Sequence, residues 1–289
     1  RQRLAEDCER LSGDAPAAEV IAGLLADHPT DDEEIYQQAR DLIGEITEFA
    51  YDKQLVPELG GECRVGPAPA SRSHVVAMML WTAPYEADAP AWYYVNPPDA
   101  SWGDEAKSEW RSMFSATTLP TITVHEVTPG HFAHGRMLRS LAKGDVRRSL
   151  YSEAFVEGWA HYAEELYVEE GFRSDDPRYA IGVWIESLMR VTRLAAALGV
   201  HRGTMSVDEA TRRFEQDAFL RGPAARTEAS RATFDPTYGR YTWGKLEIRK
   251  LRDEAIAAWG SKFSLKRFHE SLMGLGSPPL GTMGDAIEP

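Results

Sequence analysis

Val124-His125-Glu126-Val127-Thr128-Pro129-Gly130-His131 is the stretch on which the reading of this chain turns. A His-Glu pair on an apolar helical run, followed by a second His, is a pattern that zinc hydrolases use. Neutral imidazoles suit zinc, and a glutamate beside the first of them is placed to take a proton from an attacking water. The common spacing puts the two His four residues apart, whereas His125 and His131 are six apart. Six residues of regular helix turn about 600°, which would aim the rings roughly 120° apart. Pro129 lacks an N–H and clashes with the preceding turn, and Gly130 tolerates unusual dihedrals. The sequence therefore predicts a bulge or kink at Thr128–His131 that returns both rings to one face.

A second motif follows at Glu157-Gly158-Trp159-Ala160-His161-Tyr162-Ala163-Glu164. An acidic residue followed by Gly-aromatic-Ala on a helix resembles the third-ligand helix of the gluzincins, whose short signature reads EGFA. That resemblance implies Glu157 as the third ligand to one Zn2+ ion, beside His125 and His131, with Glu126 as the base. A mid-helix Gly has an intrinsic cost of roughly 1 kcal/mol, so Gly158 is expected to serve a close approach between helices. Glu153 and His161 lie one turn either side of Glu157 and are expected to orient a ligand from behind.

Around these motifs the chain reads as mainly α with a small β-sheet before the metal-binding helix. Residues 1–55 read as N-terminal helices, with Thr30 and Glu33 at capping-box spacing before Ile35–Ala50. Residues 56–98 are rich in Gly and Pro and hold two β-like runs, Ser73–Trp81 and Ala91–Val95. Residues 99–289 read as a helical metal-site region. Thr118 is expected to cap a helix that has Pro120 in its first turn. Another helix is expected over Asp145–Glu170, ending at Gly171. Further helices are expected over Arg178–Leu198, from Ser206 with Glu209 to about Leu220, over Pro236–Trp259, and from Ser264 to Gly274. No linker divides the chain, so 1–289 is expected to be a single catalytic domain. It opens on Arg1, not Met, so a fragment of a longer protein is the expectation.

Composition narrows the function. The 289 residues are 43% hydrophobic, enough for a substantial core. A net charge of −13 repels phosphate backbones, so no nucleic-acid partner is expected. No apolar run is long enough to cross a bilayer, no membrane partner is expected, and a cytoplasmic address is the default. Two cysteines, Cys8 and Cys63, offer neither a disulfide framework nor a thiolate zinc site.

The two motifs together, HExxPGH and EGWAxYAE, resemble the domain-of-unknown-function 885 family, regarded as metallopeptidases related to gluzincins. The likeness runs over about 91–251. It includes Tyr93 and Tyr94, Gly199 and His201, and Tyr241, Gly244, Lys245 and Leu246. Members are usually about twice as long. A one-residue widening of HExxH is known in the dipeptidyl-peptidase III family, so the spacing is compatible with zinc. The chain departs from the family at His134, often Gln; at Ala197, often Asp; and at Asp235-Pro236-Thr237-Tyr238, often a Pro-Gly-Gln run.

What the resemblance implies is a zinc-dependent hydrolase, a metallopeptidase, acting on a peptide or small amide. Related enzymes use Tyr or His to stabilise the oxyanion, which makes Tyr241 and His201 the candidates, with Tyr238 competing. The strand Ala91–Val95, with Tyr94, could bind an extended peptide by its edge. Arg190, Arg193 and Arg252 could each pair with a substrate carboxylate. Three other readings stay open: hydrolysis of a non-peptide amide, a di-iron carboxylate protein using Glu126, Glu153, Glu157 and His161, and a non-catalytic binding module.

Overall fold

The computed structural model describes residues 1–72, 75–86, 89–283 and 286–287. Helices α1 (Gln2–Ser12), α2 (Ala17–Ala26) and α3 (Asp32–Asp52) open the chain. Strands β1 (Cys63–Pro67), β2 (Ala77–Leu80) and β3 (Ala91–Val95) follow. The remainder is helical: α4 (Asp104–Arg111), α5 (Leu119–Glu126), α6 (His131–Leu141), α7 (Asp145–Ser149) and α8 (Glu153–Glu169). After these come α9 (Arg178–His201), α10 (Val207–Ala218), α11 (Gly222–Arg231), α12 (Arg240–Trp259) and α13 (Leu265–Gly274). The architecture is mainly α with a small sheet. No helix among the described residues is long and apolar enough to cross a membrane.

Local chemistry sets most helix ends. Ser206 and Glu209 form a reciprocal capping box on α10, and Ser264 caps α13. At the end of α8, Gly171 takes a positive φ of 88°, and the N–H groups of Gly171 and Phe172 bond back to Val168 and Tyr167. Four expectations need correction. Asp31, not Thr30, caps α3, because its carboxylate accepts from the Glu34 N–H while Glu34 reaches back to the Thr30 N–H. Thr118 does not cap α5 with its side chain; its hydroxyl donates to the Met113 carbonyl. The helix expected over Asp145–Glu170 is two, because Tyr151 leaves the helical path to pair its backbone with Ser277. Helix α12 starts at Arg240, since Pro236–Gly239 forms a turn in which the Thr237 carbonyl accepts from Arg240. Helix α11, opened by Gly222-Pro223, is a further helix with proline in its first turn.

The sheet has the order β1-β3-β2. Strand β3 pairs parallel with β1 and antiparallel with β2. The expected run from Ser73 to Trp81 contributes β2, while Ser73 itself lies outside the described residues. Strand β1, with Gly66 and Pro67, gave little β signal. On β3 the side chains alternate: Ala91, Tyr93 and Val95 are buried, and the Tyr93 hydroxyl lies 3.5 Å from that of Thr123 on α5. Trp92 and Tyr94 occupy the other face and stack on each other at 5.6 Å. Both edges of β3 are therefore occupied, and among the described residues the strand with an unpaired edge beside α5 is β2.

Helix α8 is buried over most of its length, and α12 crosses it closely. A Cβ on Gly158 would lie 2.5 Å from Gly244 Cα, and one on Gly244 would lie 2.0 Å from the Ala154 carbonyl oxygen. The close approach expected of Gly158 is thus with α12, and it brings Tyr241 beside Glu157. Helices α1 and α2 pack on α9 through a small apolar cluster of Leu4, Cys8, Ile21, Leu25, Ile181 and Ile185.

Candidate metal centre

Helix α5 ends at Glu126 and α6 begins at His131. Between them the backbone widens: the N–H of Gly130 bonds to the carbonyl of Val124, and that of Ala133 to Val127, each six residues back. Replacing four-residue bonds by six-residue ones inserts two residues without changing the face presented, so His125 and His131 stand as an i, i+4 pair would. A Cβ on Gly130 would lie 1.9 Å from the His125 carbonyl oxygen, which explains the glycine. The Thr128–Pro129 peptide is cis. Trp159 Nε1 donates to the Pro129 carbonyl at 2.7 Å, and the Tyr167 hydroxyl donates to Thr128 at 3.1 Å. Helix α8, which carries Glu157, therefore also holds the bulge in place.

The two imidazoles lie edge to face, 4.7 Å between centroids. Glu157 Oε2 lies 3.5 Å from His125 Nε2 and 3.4 Å from His131 Nε2. Among the described residues these three offer ligand atoms all within 4.8 Å of one another. Two imidazole nitrogens and one carboxylate oxygen match the donor set of a catalytic zinc site, which leaves a fourth position open.

Behind His125 stands Glu164. Its Oε1 lies 2.6 Å from His125 Nδ1 and 2.8 Å from Arg190 Nη2, and its Oε2 lies 3.1 Å from His161 Nδ1. Burial opposes charge on Glu164, but Arg190, His161 and His125 outweigh it and hold the carboxyl well below its usual range. An ionised carboxylate has no proton to give, so the short contact requires the proton on His125 Nδ1. Nε2 is then the nitrogen that faces Glu157 and the cavity. Burial and Arg190 disfavour a second proton on His125, yet Glu157 and Glu164 outweigh them and raise its pKa to about 9, so without an ion Nε2 carries a proton toward Glu157 that a bound cation would replace. Burial disfavours the Glu157 anion, and hydrogen bonds from His125 and His131 overcome it, lowering its pKa well below the usual value. The triad is thus electrostatically set to hold a cation.

Glu126 is buried beside the triad, and its Oε2 has no hydrogen-bond partner among the described residues. Burial raises its pKa against the pull of His131 and His125. It lines a cavity of about 330 Å³ together with the three candidate ligands. Residues 75–81, Tyr151, Arg190, Arg193, Arg231 and Tyr241 complete much of the wall.

Tyr241 lies in this wall, its ring 6.4 Å from that of His125. Arg231 donates to its hydroxyl oxygen at 3.3 Å, and among the described residues no acceptor takes the phenolic proton. Burial and Glu157 raise its pKa, so it stays protonated despite Arg231, Arg193 and Arg240.

Several expected residues sit elsewhere. Tyr238 is fully buried with its hydroxyl on Glu228, outside the cavity. His201 is exposed at the end of α9, eleven residues or about 16 Å beyond Arg190. Glu153 points to Arg240 and Thr237 at the surface and orients no ligand. His161 orients Glu164, one step further back than expected, because its Nδ1 faces that carboxylate. With Glu153 and His161 so placed, the di-iron set of Glu126, Glu153, Glu157 and His161 does not converge. Tyr94 lies on the far face of β3, and Arg252 pairs with Glu169 and Tyr162 away from the cavity. Arg190 and Arg193 do line the cavity, but Glu164 and Glu186 take the first and Glu228 takes the second. His134 turns away to Ser277 at 3.0 Å.

The sequence reading missed three parts of the site. Glu164 closes the second motif, three residues after His161, but nothing there marked it as the partner of His125. Arg231 and Tyr151 gave no signal, since their elements meet the site only in the fold.

A mainly α protein with a buried two-histidine, one-carboxylate cluster at the wall of a cavity is the class defined so far. The chain belongs to the family described as bacterial protein of unknown function (DUF885), whose sequence profile matches residues 1–287. No curated protein matches it. Among solved structures it is similar to a candidate lipoprotein from Colwellia psychrerythraea, with a TM-score of 0.83 and 21% identity over 99% of this chain and 49% of that one. It is also similar to a candidate lipoprotein of unknown function from Shewanella oneidensis, with a TM-score of 0.81 and 23% identity over 98% of this chain and 53% of that one. The chain spans about half the length of each, and the likeness is one of fold.

Proposed function

We propose that this chain carries the centre of a zinc-dependent hydrolase, a gluzincin-like metallopeptidase acting on peptides or small amides. The observation that carries the reading is the convergence of His125 Nε2, His131 Nε2 and Glu157 Oε2 at the wall of a cavity that also holds the unpartnered carboxylate oxygen of Glu126. His125, His131 and Glu157 would hold a divalent ion, which would supply Lewis acidity and make a nearby water easier to deprotonate. Glu126 takes the proton of the attacking water and delivers it to the leaving amine, a role that its raised pKa favours. Tyr241 donates its free proton to the carbonyl oxygen as negative charge develops there. Glu164, anchored by Arg190, engages Nδ1 of His125, so that Nε2 is the nitrogen presented to an ion and is made more basic. The unpaired edge of β2, not β3, offers backbone groups to an extended substrate.

The test is elemental analysis of the purified protein, followed by digestion of a peptide library with and without chelator. One zinc per chain and chelator-sensitive cleavage, restored by added zinc, are expected. Stoichiometric absence of metal after zinc loading would refute the reading.

A further inference from the structure

A buried guanidinium needs anionic partners, because its desolvation is costly unless its N–H groups are matched. Four arginines surround Tyr241, and three hold a carboxylate oxygen within 2.9 Å. Arg190 bonds Glu164 and Glu186, each at 2.8 Å. Arg193 grips Glu228 with two bonds of 2.6 and 2.7 Å. Arg240 holds both oxygens of Asp235 at 2.7 and 2.9 Å. Arg231 is the exception. Its nearest carboxylate oxygen, on the same Asp235, is 3.5 Å away, and its remaining contact is the Tyr241 hydroxyl at 3.3 Å.

Arg231 is nonetheless well enclosed, with a side-chain exposure of 15%. Its guanidinium packs over the ring of Tyr238 at 4.7 Å, and that ring is fixed by the bond from its hydroxyl to Glu228. The residue lines the cavity of the candidate metal centre and also the adjoining cavity beside Trp102 and Phe234. It is therefore a rigidly held, incompletely paired cation, one tyrosine side chain away from the imidazole of His125.

We propose that Arg231 is the carboxylate-recognition residue of this site, and that its substrates carry a free carboxylate within a few residues of the scissile bond. The proposal rests on the hydrolase reading for the identity of the bond cleaved. A planar guanidinium pairs bidentately with a carboxylate, and one from the substrate completes the pairing that Asp235 leaves unfinished. Glu126, Glu157 and Glu186 line the same cavity, so a monoanion is accepted more readily than a multiply charged phosphate. The carboxylate has two sources, the C-terminus of a peptide or an Asp or Glu side chain, and both present the same fork.

The test uses the zinc-loaded full chain and two probe pairs: N-acetyl-trialanine against its C-terminal amide, and N-acetyl-Ala-Glu-Ala-amide against its Gln counterpart. Hydrolysis is measured as kcat/KM, and equilibrium binding is measured separately on the Glu126→Gln protein. The acid of at least one pair is expected to be preferred by about tenfold to a hundredfold, the scale of charged hydrogen bonds lost or made. The preferred pair identifies the source. Arg231→Gln should collapse that preference, and Arg231→Lys, which keeps charge and bulk without the fork, should reduce it. Equal treatment of acid and neutral probe by the wild-type protein overturns the proposal without recourse to any variant. Equal loss of both probes in a folded Arg231→Gln protein also overturns it, since the residue would then only position Tyr241. Preferential, Arg231-dependent binding of the acid with no hydrolysis of any probe would leave the subsite standing and remove the hydrolase reading.

Discussion

Replacing Glu164 with Gln tests whether the charge behind His125, or only its hydrogen bonds, sets the metal centre. Glu164 accepts from three donors: His125 and Arg190 on Oε1, and His161 on Oε2. The amide keeps one acceptor oxygen, which can stay with His125 and Arg190. Its NH2 then faces His161, whose neutral ring can present a lone pair at Nδ1 by moving its proton to Nε2. Geometry is thereby largely preserved, and what is lost is a buried negative charge. Arg190 keeps Glu186 at 2.8 Å, so the cost in stability should fall below the roughly 3–5 kcal/mol of breaking a buried pair outright. At the metal, a less basic His125 should weaken zinc affinity by about 10–100-fold, the usual scale for an altered outer partner. Glu164→Ala removes acceptor and charge together and should be worse in both respects. Zinc affinity is read by competition with a chromogenic chelator, and stability by thermal melting. Unchanged zinc affinity in a folded Glu164→Gln protein would refute the argument that Glu164 fixes the tautomer and basicity of His125.

Glu126→Gln should keep zinc and lose on the order of a hundredfold or more in turnover, because the amide preserves packing but cannot take a proton; near-normal turnover would move the base elsewhere. Tyr241→Phe should lower kcat by about 10²–10³ with little change in KM, as for loss of one oxyanion donor, whereas a purely packing role predicts nearly unchanged activity. The Glu228 pKa is lowered to about 2, because Arg193, Arg231 and Tyr238 outweigh burial. A depressed folded pKa stabilises the fold above the unfolded value of about 4.3, and this contribution is lost as pH falls toward 2. The stability gap between wild type and Glu228→Gln in urea should therefore be widest at neutral pH and narrow below about pH 4; a gap independent of pH would contradict the assignment.

The sequence by itself determined the helical class and the ends of helices whose caps are local. Ser206 with Glu209, Ser264 and Gly171 act within a few residues, so their effects are written along the chain. It also singled out the residues that meet at the candidate centre, since His125, Glu126 and His131 belong to one widened helix and Glu157 to a distinctive Gly-Trp-Ala turn. The need for a bulge followed from helix geometry, which six-residue spacing violates. Tertiary structure decided the rest. The choice of Tyr241 over Tyr238 and His201 depends on where α12 crosses α8, and that crossing is set by Gly158 against Gly244, residues 86 positions apart. The sheet edge beside α5 belongs to β2 because β1, with little β signal of its own, takes the other side of β3. Which arginine is left with an unfinished pairing depends on carboxylates from several helices competing for guanidiniums in one small volume. Such pairings form between residues distant in sequence, and no local pattern encodes which partner each will find.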